Sequence, residues 1–447
     1  MVLPPADLAG RRVVHSHHPI LTAYQAASAE AAGAEVRVLD CALDGVEPAL
    51  VATLAREFDA VAIHPFEYRR ELPIDTTLAV IGALRGQRVA VLNVGLGAQE
   101  EGKLFDAGAE VVVHGDSERP LGDWVRGTLA PGDGVRLGGG LGTARGRRES
   151  DLSSLPFPAW HLFSPGRYRP SPHRWRRLPT FPVLGARSCP YACDFCPQSI
   201  FHSSGTFSPR TAASIAAEVE HLVSRHGARD IEFYDPTWGV QREVALELCD
   251  RLSRQSPRVT WSCLVRADLV DDTLLAAMSR AGCHGILVGV ESGSEAMLRA
   301  TGKKVDHAQV RATFALARRH GIDTIASFIV GLPGETPSSA QATLRLACEL
   351  DATYAQFHLA RDHFGRERWL SRGHTEEGWD VGGYSISGRA YVPAGMDRPA
   401  LARAHRACYA GFYLRPGYIF RRVSALRDPI ELRRLGAGLR MLAGAVS

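Results

Sequence analysis

The segment Arg187–Gln198, RSCPYACDFCPQ, holds three of the nine cysteines of the chain. Cys189, Cys193 and Cys196 have the spacing C-x3-C-x2-C and follow the strand-like run PVLGARS. Closely spaced thiols are typical of structural zinc sites, redox dithiols and iron–sulfur clusters. A dithiol would leave Cys189 without a role.

Zinc would need a fourth ligand, which Cys263 or Cys283 could supply. A cluster bound by only three thiolates keeps one iron open to a small molecule. The loop follows a strand-like run, and in barrels of alternating strands and helices the active sites form at the ends of the strands. The iron–sulfur cluster is therefore the interpretation that fits best.

The composition is that of a soluble globular protein. The 447 residues are 45% apolar and 22% charged with a net charge of +4, which predicts two or three domains and no nucleic-acid surface. No window approaches the roughly 18 apolar residues of a membrane span. The N-terminus MVLPPADLAGRR lacks a secretory signal, so we expect a cytoplasmic location and reduced thiols.

The first 130 or so residues alternate short strand-like runs with Ala/Leu-rich helical ones. The runs are RRVVHSH, EVRVLDC, DAVAIHP, RVAVLNVG and EVVVHGD. This alternation predicts a parallel, Rossmann-like sheet whose ligands lie beyond the carboxyl ends of the strands. We expect this domain to cover residues 1–149, and a Pro-rich linker to follow over residues 150–180.

A second alternation, with longer helices, covers residues 181–365. Its six strand-like runs are PVLGARS, DIEFYD, VTWSCLVRA, GILVGVES, TIASFIVG and ATYAQFHLA. Six βα units predict a partial (β/α)6 barrel with its chemistry at the carboxyl ends of the strands. Residues 366–447 are expected to form a small helical C-terminal region. The predicted fold class is therefore α/β, with two α/β domains in succession.

The cysteine loop resembles the signature of radical S-adenosylmethionine (SAM) enzymes, in which an aromatic residue, here Phe195, precedes the last cysteine. The resemblance implies that Cys189, Cys193 and Cys196 bind a [4Fe–4S] cluster. In that family the open iron binds the amino and carboxylate groups of SAM. An electron from an external one-electron reductant, a flavodoxin, a ferredoxin or a dedicated partner, then produces a 5′-deoxyadenosyl radical.

Two strand ends resemble the family segments that hold the methionine part of SAM. Asp235 follows the second strand and resembles the contact to the SAM amino group; a helix cap or turn aspartate is the alternative. Arg266 ends the third strand and resembles the arginine that reaches the SAM carboxylate, which suits its forked guanidinium. Strand alternation sends Cys263 to the opposite face, toward the helices.

The next two strand ends resemble the segments at the other end of SAM. In LVGVESGSE, the resemblance implies that Glu291 and Ser292 contact the ribose or methionine. In SFIVGLPGET, it implies that adenine lies over Gly331, where glycine permits close approach, and beside the apolar Ile329.

The Rossmann-like domain, the linker LPFPAW and the barrel together resemble the cobalamin-binding branch of the family. The sequence lacks the D-x-H-x-x-G motif of other cobalamin proteins, as is usual in this branch. Candidates for the cofactor face are His15 and His17, 64–68, 93–97 and 114–117. An empty Rossmann domain is the alternative.

The resemblance implies a radical enzyme that abstracts hydrogen from a polar small molecule, for cobalamin-dependent C-methylation in specialised metabolism such as antibiotic biosynthesis. The first alternative is radical dehydration, epimerisation or rearrangement, for example of an aminoglycoside-type sugar. The second alternative is a non-enzymatic iron–sulfur or cobalamin-binding protein. Arg361, Asp362 and His363 follow the sixth strand and are predicted to bind the substrate. An ion-paired strand end is the competing interpretation.

Overall fold

The computed structural model describes residues 1–3, 17–67, 70–71, 74–94, 98–138, 142, 146, 148–168, 171, 173–196, 207–360, 375–376, 391–424, 432 and 436. The chain divides into two compact units. The first is Met1–Pro170 with Ile200–Arg210, and the second is Ser171–Ser199 with Thr211–Ser447. The Pro-rich segment 150–180 is thus divided between the units at residue 170.

The first unit contains a six-stranded sheet in the order β2-β1-β3-β6-β7-β8. Its strands are β1 (Val2–Leu3), β2 (Leu39–Asp40), β3 (Ala60–Ile63), β6 (Arg88–Val94), β7 (Val111–His114) and β8 (Val135–Leu137). A separate hairpin is formed by β4 (Phe66–Glu67) and β5 (Arg70–Glu71). The helices are α1 (Ile20–Ala31), α2 (Cys41–Asp44), α3 (Pro48–Ala55), α4 (Ile74–Ala83), α5 (Ala98–Ala107) and α6 (Glu118–Arg126).

Helices cover both faces of this sheet, because alternate residues of its strands enter different cores. Val61 and Ile63 of β3 pack in one cluster, whereas Ala62 between them packs in the other. In β7, Val112 packs in the first of these clusters and its neighbour Val113 packs in the second. Apolar residues on both faces are typical of a buried parallel sheet, so the predicted Rossmann-like layer is confirmed.

Two details of this unit differ from the predicted pattern. The run EVRVLDC provides only the two residues of β2, because the Asp40 side chain accepts a hydrogen bond from the Leu43 N–H (3.2 Å) and caps α2. Strand β8 lies in the Gly-rich segment before the linker and pairs antiparallel with β7. The run RRVVHSH lies outside the described residues, apart from His17.

The second unit contains six parallel strands in the order β16-β15-β14-β13-β12-β9. They are β9 (Thr180–Val183), β12 (Asp230–Phe233), β13 (Thr260–Val265), β14 (Cys283–Glu291), β15 (Asp323–Val330) and β16 (Tyr354–Leu359). Each corresponds to one of the six predicted runs, so the partial barrel is confirmed. Two further short strands are β10 (Ala186–Arg187) and β11 (Ser208–Pro209).

Helices follow the barrel strands in turn. They are α7 (Ala212–His226), α8 (Arg242–Arg254), α9 (Asp272–Arg280), α10 (Glu295–Ala300), α11 (His307–Arg319) and α12 (Pro337–Leu350). Side-chain caps start five of them, at Thr211, Asp271, Ser294, Asp306 and Thr336. The C-terminal region adds the hairpin of β17 (Thr375–Glu376) and β18 (Tyr391–Val392) and the helices α13 (Arg398–Tyr413) and α14 (Pro416–Ser424).

Aromatic side chains stabilise the helix-covered side of this barrel. The rings of Phe328 on β15 and Phe357 on β16 stack at 5.3 Å, and Phe357 also meets Phe412 of α13 at 6.4 Å. Such aromatic pairs add about 0.5–1.5 kcal/mol beyond burial. None of the helices in the described part of the chain has the length and the apolar sequence that crossing a bilayer requires.

Candidate active site

The loop with the three cysteines directly follows β10 in the second unit. None of the three thiols is in a disulfide, and all three are partly exposed. The Cys196 N–H donates to the Cys193 carbonyl (3.1 Å), which closes a tight turn, and Cys189 Sγ lies 3.5 Å from Thr237 Oγ1 beyond β12. The loop is also tied to the segment after α10, since the Asp194 N–H donates to the Thr301 carbonyl (2.9 Å).

The donor set of this loop fits an iron–sulfur cluster. Within the described ranges, no three His, Cys, Asp or Glu side chains come together as ligands of one metal ion. A [4Fe–4S] cluster takes each thiolate on a different iron, and therefore needs its ligands further apart than one ion does. Three partly exposed thiols on one short loop are the kind of donor that such a cluster takes.

Arg266 lies at the end of β13 and reaches the loop directly. Its Nη1 lies 3.7 Å from Cys193 Sγ, and its guanidinium stacks at 3.8 Å from the centre of the Tyr191 ring. The other edge of the guanidinium donates to both carboxylate oxygens of Asp268, each at 3.0 Å. The structure therefore places Arg266 beside the cluster loop, with Asp268 as its counter-ion.

Glu291 lies at the end of β14, where the pairing with β15 becomes irregular, and has a positive φ of 65°. Its Oε1 accepts from Lys303 Nζ (2.6 Å), which also donates to the Gly289 carbonyl (2.8 Å). Both side chains are buried. Burial raises the pKa of the Cys193 thiol, while the positive charges of Lys303 and Arg266 oppose this rise.

Asp235, after β12, and Ser292, after β14, are both buried. Asp235 Oδ1 accepts from the Gly185 N–H (2.6 Å), and a Cβ at Gly185 would lie 2.9 Å from Asp235 Oδ2. A larger residue at position 185 would therefore displace the Asp235 carboxylate. Ser292 Oγ accepts from the Ser294 N–H (3.1 Å), and the Ser292 carbonyl lies 2.9 Å from His307 Nε2. Both residues have structural partners, so each organises its strand end.

Gly331, at the end of β15, has a φ of 94°, a conformation that favours glycine. Its N–H donates to Oε2 of the fully buried Glu335 (3.1 Å). Burial raises the pKa of the Glu335 carboxyl, and hydrogen bonds from Ser339 and the Gly331 backbone oppose this effect.

An apolar pocket lies between the cysteine loop and the last barrel strands. Phe195, Met297 and Leu332 line it, and Ile329 packs in the same cluster. The structure therefore brings the predicted Phe195 and Ile329 together in one apolar cluster beside the loop.

Several residues of this site were missed by the sequence analysis: Tyr191, Thr237, Asp268, Lys303 and Glu335. Tyr191 lies inside the C-x3-C spacing and Asp268 follows Arg266 by two residues, so adjacency could have indicated them. Lys303 is one of three lysines in an arginine-rich chain, which is a weak signal. The predicted substrate residues Arg361, Asp362 and His363 lie outside the described residues.

The face of β15 and β16 that the helices do not cover carries polar side chains. Ser327 pairs in register with Gln356, and Ile329 pairs with His358. Gln356 Nε2 lies 2.7 Å from His173 Nε2, so the segment before β9 contributes to the same surface. Ser327, Ile329 and Gln356 are partly exposed and His358 is exposed, whereas their neighbours Phe328 and Phe357 are buried.

In the first unit, three segments meet where the parallel strands end. His64, just after β3, bonds through Nδ1 to Gln25 Oε1 of α1 (2.6 Å), and Gln25 Nε2 donates to Ser117 Oγ (2.5 Å). His114, at the end of β7, pairs with Glu101 (2.9 Å), and both are buried. Hydrogen-bonding groups at this edge fit cobalamin, whose corrin ring is surrounded by amide groups.

The cysteine loop and the strand ends lie within a domain that matches a known family. Residues 183–347 match the radical SAM superfamily. The uncharacterized methyltransferase PH0819 of Pyrococcus horikoshii is 25% identical over 387 residues, which cover 83% of this chain and 82% of that protein. A protein of Rubrivivax gelatinosus named anaerobic magnesium-protoporphyrin IX monomethyl ester cyclase is 26% identical over 59% of this chain and 47% of its own length.

The fold is also that of a solved enzyme. The radical SAM methyltransferase TsrM from Kitasatospora setae, in its structure with cobalamin and a [4Fe–4S] cluster bound, matches with a TM-score of 0.72 at 16% identity. The match covers 99% of this chain and 98% of that one. With the matched residues 183–347, the three-thiol loop and the strand ends around it, the chain contains a radical SAM domain and is a radical SAM enzyme.

Proposed function

We propose that this protein is a cobalamin-dependent radical SAM methyltransferase that methylates a carbon atom of a polar small molecule. The observation that carries the proposal is its two-part fold: a Rossmann-like unit and a radical SAM barrel match TsrM over 99% of this chain. The name of its relative in Pyrococcus horikoshii, a methyltransferase, supports the same reaction.

The cofactors supply the difficult chemistry when bound: the cluster and SAM provide a carbon radical that abstracts hydrogen, and cobalamin provides a transferable methyl group. Cys189, Cys193 and Cys196 hold the cluster. We propose that the strand ends around the loop hold SAM. These residues are Phe195, Asp235, Arg266, Glu291, Ser292, Ile329 and Gly331.

Buried hydrogen bonds hold these strand ends in place. Asp235 holds the Gly185 backbone, Lys303 holds the Glu291 carboxylate and Glu335 holds the Gly331 N–H. Preorganised groups do not need to rearrange during the reaction, and they keep competing hydrogen donors, including water, away from a radical. The barrel residues therefore contribute mainly by positioning and by exclusion.

The uncovered face of β15 and β16 supports a polar substrate. Ser327, Gln356 and His358 present a hydroxyl, an amide and an imidazole from neighbouring positions of this face. Such groups form hydrogen bonds with hydroxyl, amine or amide groups of a ligand. We propose that this surface, together with Arg361, Asp362 and His363, orients the substrate carbon. Specialised metabolism, including antibiotic biosynthesis, is our proposed context.

Corrinoid retention tests the proposal. The protein is purified anaerobically, its cluster is reconstituted, and it is incubated with hydroxocobalamin, desalted and measured by absorbance. We expect about one corrinoid per chain, and labelled methyl transfer from methyl-labelled SAM to candidate polar substrates. The Cys196→Ala variant, which leaves the first unit unchanged, should retain the corrinoid without cleaving SAM.

The opposite result favours the second candidate function. If the protein cleaves SAM to 5′-deoxyadenosine but retains no corrinoid, the first unit is a scaffold and the proposal of methyl transfer is wrong. Radical dehydration, epimerisation or rearrangement then takes its place. One observation favours this alternative: a relative over 59% of the chain is named a cyclase. Absence of 5′-deoxyadenosine after anaerobic reduction with SAM would contradict both candidate functions.

A further inference from the structure

Cys193, one of the three cysteines of the proposed cluster loop, has a charged neighbour. Arg266 Nη1 lies 3.7 Å from Cys193 Sγ, within the range of a hydrogen bond to sulfur. The Arg266 side chain is 5% exposed, so this contact is little screened by water. A guanidinium cannot lose its proton in a protein, so the positive charge is permanent.

The guanidinium is held in place on two sides. Asp268 accepts from Nε and from Nη2 at 3.0 Å, a bidentate contact that fixes the plane of the group. Tyr191, from the cysteine loop itself, stacks on that plane at 3.8 Å. The contact with Asp268 leaves Nη1 as the nitrogen directed at the thiol, so the orientation of Arg266 follows from its two partners.

We propose that Arg266, clamped between Asp268 and Tyr191, is a positioning residue for the cluster that holds Cys193 and raises the reduction potential of the cluster. A hydrogen bond and a positive charge at a ligating sulfur stabilise the more negative, reduced form. The clamp thereby favours electron entry before SAM is cleaved. This role adds to the contact with the SAM carboxylate that the family resemblance implies.

The inference rests on the cluster of the proposed function, but not on cobalamin, substrate or methylation. It is tested by redox titration of the reconstituted protein without SAM, with the reduced cluster followed by electron paramagnetic resonance. Removal of the guanidinium in Arg266→Met should lower the ratio of reduced to oxidised cluster at a fixed potential about tenfold, which corresponds to about 59 mV for one electron.

Two further variants separate position from charge. Arg266→Lys keeps the charge but loses the planar fork, so it should lower the reduction potential by less than Arg266→Met does. Tyr191→Leu keeps every charge, so any fall in potential reports the lost stacking. The matched control is Arg242→Met, since Arg242 also pairs with an aspartate, Asp271, at 2.8 Å but is exposed. It should leave the potential unchanged.

An unchanged SAM-free potential in Arg266→Met, together with weaker SAM binding, would overturn the inference and leave Arg266 as a SAM ligand only. A folded Arg266→Met protein that holds less iron than the wild type would support it, because Cys193 would have lost its support. If circular dichroism shows that Arg266→Met does not fold, the other two variants provide the test. Cluster reduction potentials of Tyr191→Leu and Arg266→Lys that equal the wild-type potential would refute the clamp.

Discussion

Replacement of Lys303 by methionine tests whether its buried ion pair is the structural support of the β14 end. The Lys303 ammonium donates to Glu291 Oε1 at 2.6 Å and to the Gly289 carbonyl at 2.8 Å. The two side chains are 5% and 9% exposed. Methionine has a similar length but no charge, so Lys303→Met leaves the Glu291 carboxylate buried without its counter-ion.

The expected cost follows from that burial. Removal of one partner of a buried pair costs about 3–5 kcal/mol, whereas an exposed helical pair contributes about 0.3–0.5 kcal/mol. The control is Arg299→Met in the same segment, because Arg299 pairs with Glu295 at 3.1 Å with 72% and 54% exposure. At about 2–4 °C per kcal/mol, Lys303→Met should lower the Tm by roughly 6–20 °C and the control by no more than about 2 °C.

The assay is thermal unfolding of the cluster-free protein, followed by tryptophan fluorescence, since Trp238 and Trp261 are buried in this unit. Addition of Glu291→Gln to Lys303→Met should recover part of the loss, because the buried charge is then removed as well. Our reasoning is refuted if Lys303→Met unfolds within 2 °C of the Arg299→Met control, or if the double variant is as unstable as the sum of the two single variants.

Two further predictions concern the end of β15. Gly331→Ala forces an alanine into a φ of 94°, so it should cost about 1–2 kcal/mol of stability and weaken SAM binding, measured by equilibrium binding. The control Gly321→Ala, with a φ of 68° and open space around it, should lose stability without a change in SAM affinity. Equal SAM affinities of the two variants would contradict adenine packing at Gly331. Burial raises the pKa of Glu335 above its unfolded value of 4.5, so its contribution to stability is greatest below pH 4.5 and falls as the pH rises through the folded-state pKa. Unfolding of the cluster-free protein by urea from pH 4 to pH 7 should therefore show Glu335→Gln gaining stability relative to the wild type as the pH rises, and a constant difference would show that Glu335 does not titrate there.

The fold was predictable because its signal is local. All six barrel strands appeared in the sequence as apolar runs, since a parallel strand covered on both sides needs apolar residues throughout. The exceptions are informative. Strand β8 has three residues in a Gly-rich segment, and β2 ends where the side chain of Asp40 caps a helix. Neither feature produces a periodic pattern, so neither was predicted.

The site was predictable only for residues that belong to a motif. The three cysteines stand in one short loop, and their spacing alone indicates a shared ligand. Lys303 lies 12 residues from Glu291, and Arg266 lies 73 residues from Cys193, yet both contacts belong to the same site. Such pairs form between segments that the fold brings together, and the sequence carries no regular spacing for them.

The sequence by itself determined the fold class of the protein and indicated three thiols as candidate cluster ligands, because hydrophobic periodicity and a short thiol motif are properties of neighbouring residues. The tertiary structure decided which charges face those ligands. The direction of the Arg266 guanidinium depends on Asp268 and on a tyrosine 75 residues earlier in the chain, Tyr191. Electrostatic interactions depend on distance and burial, and both arise only when the strands have come together.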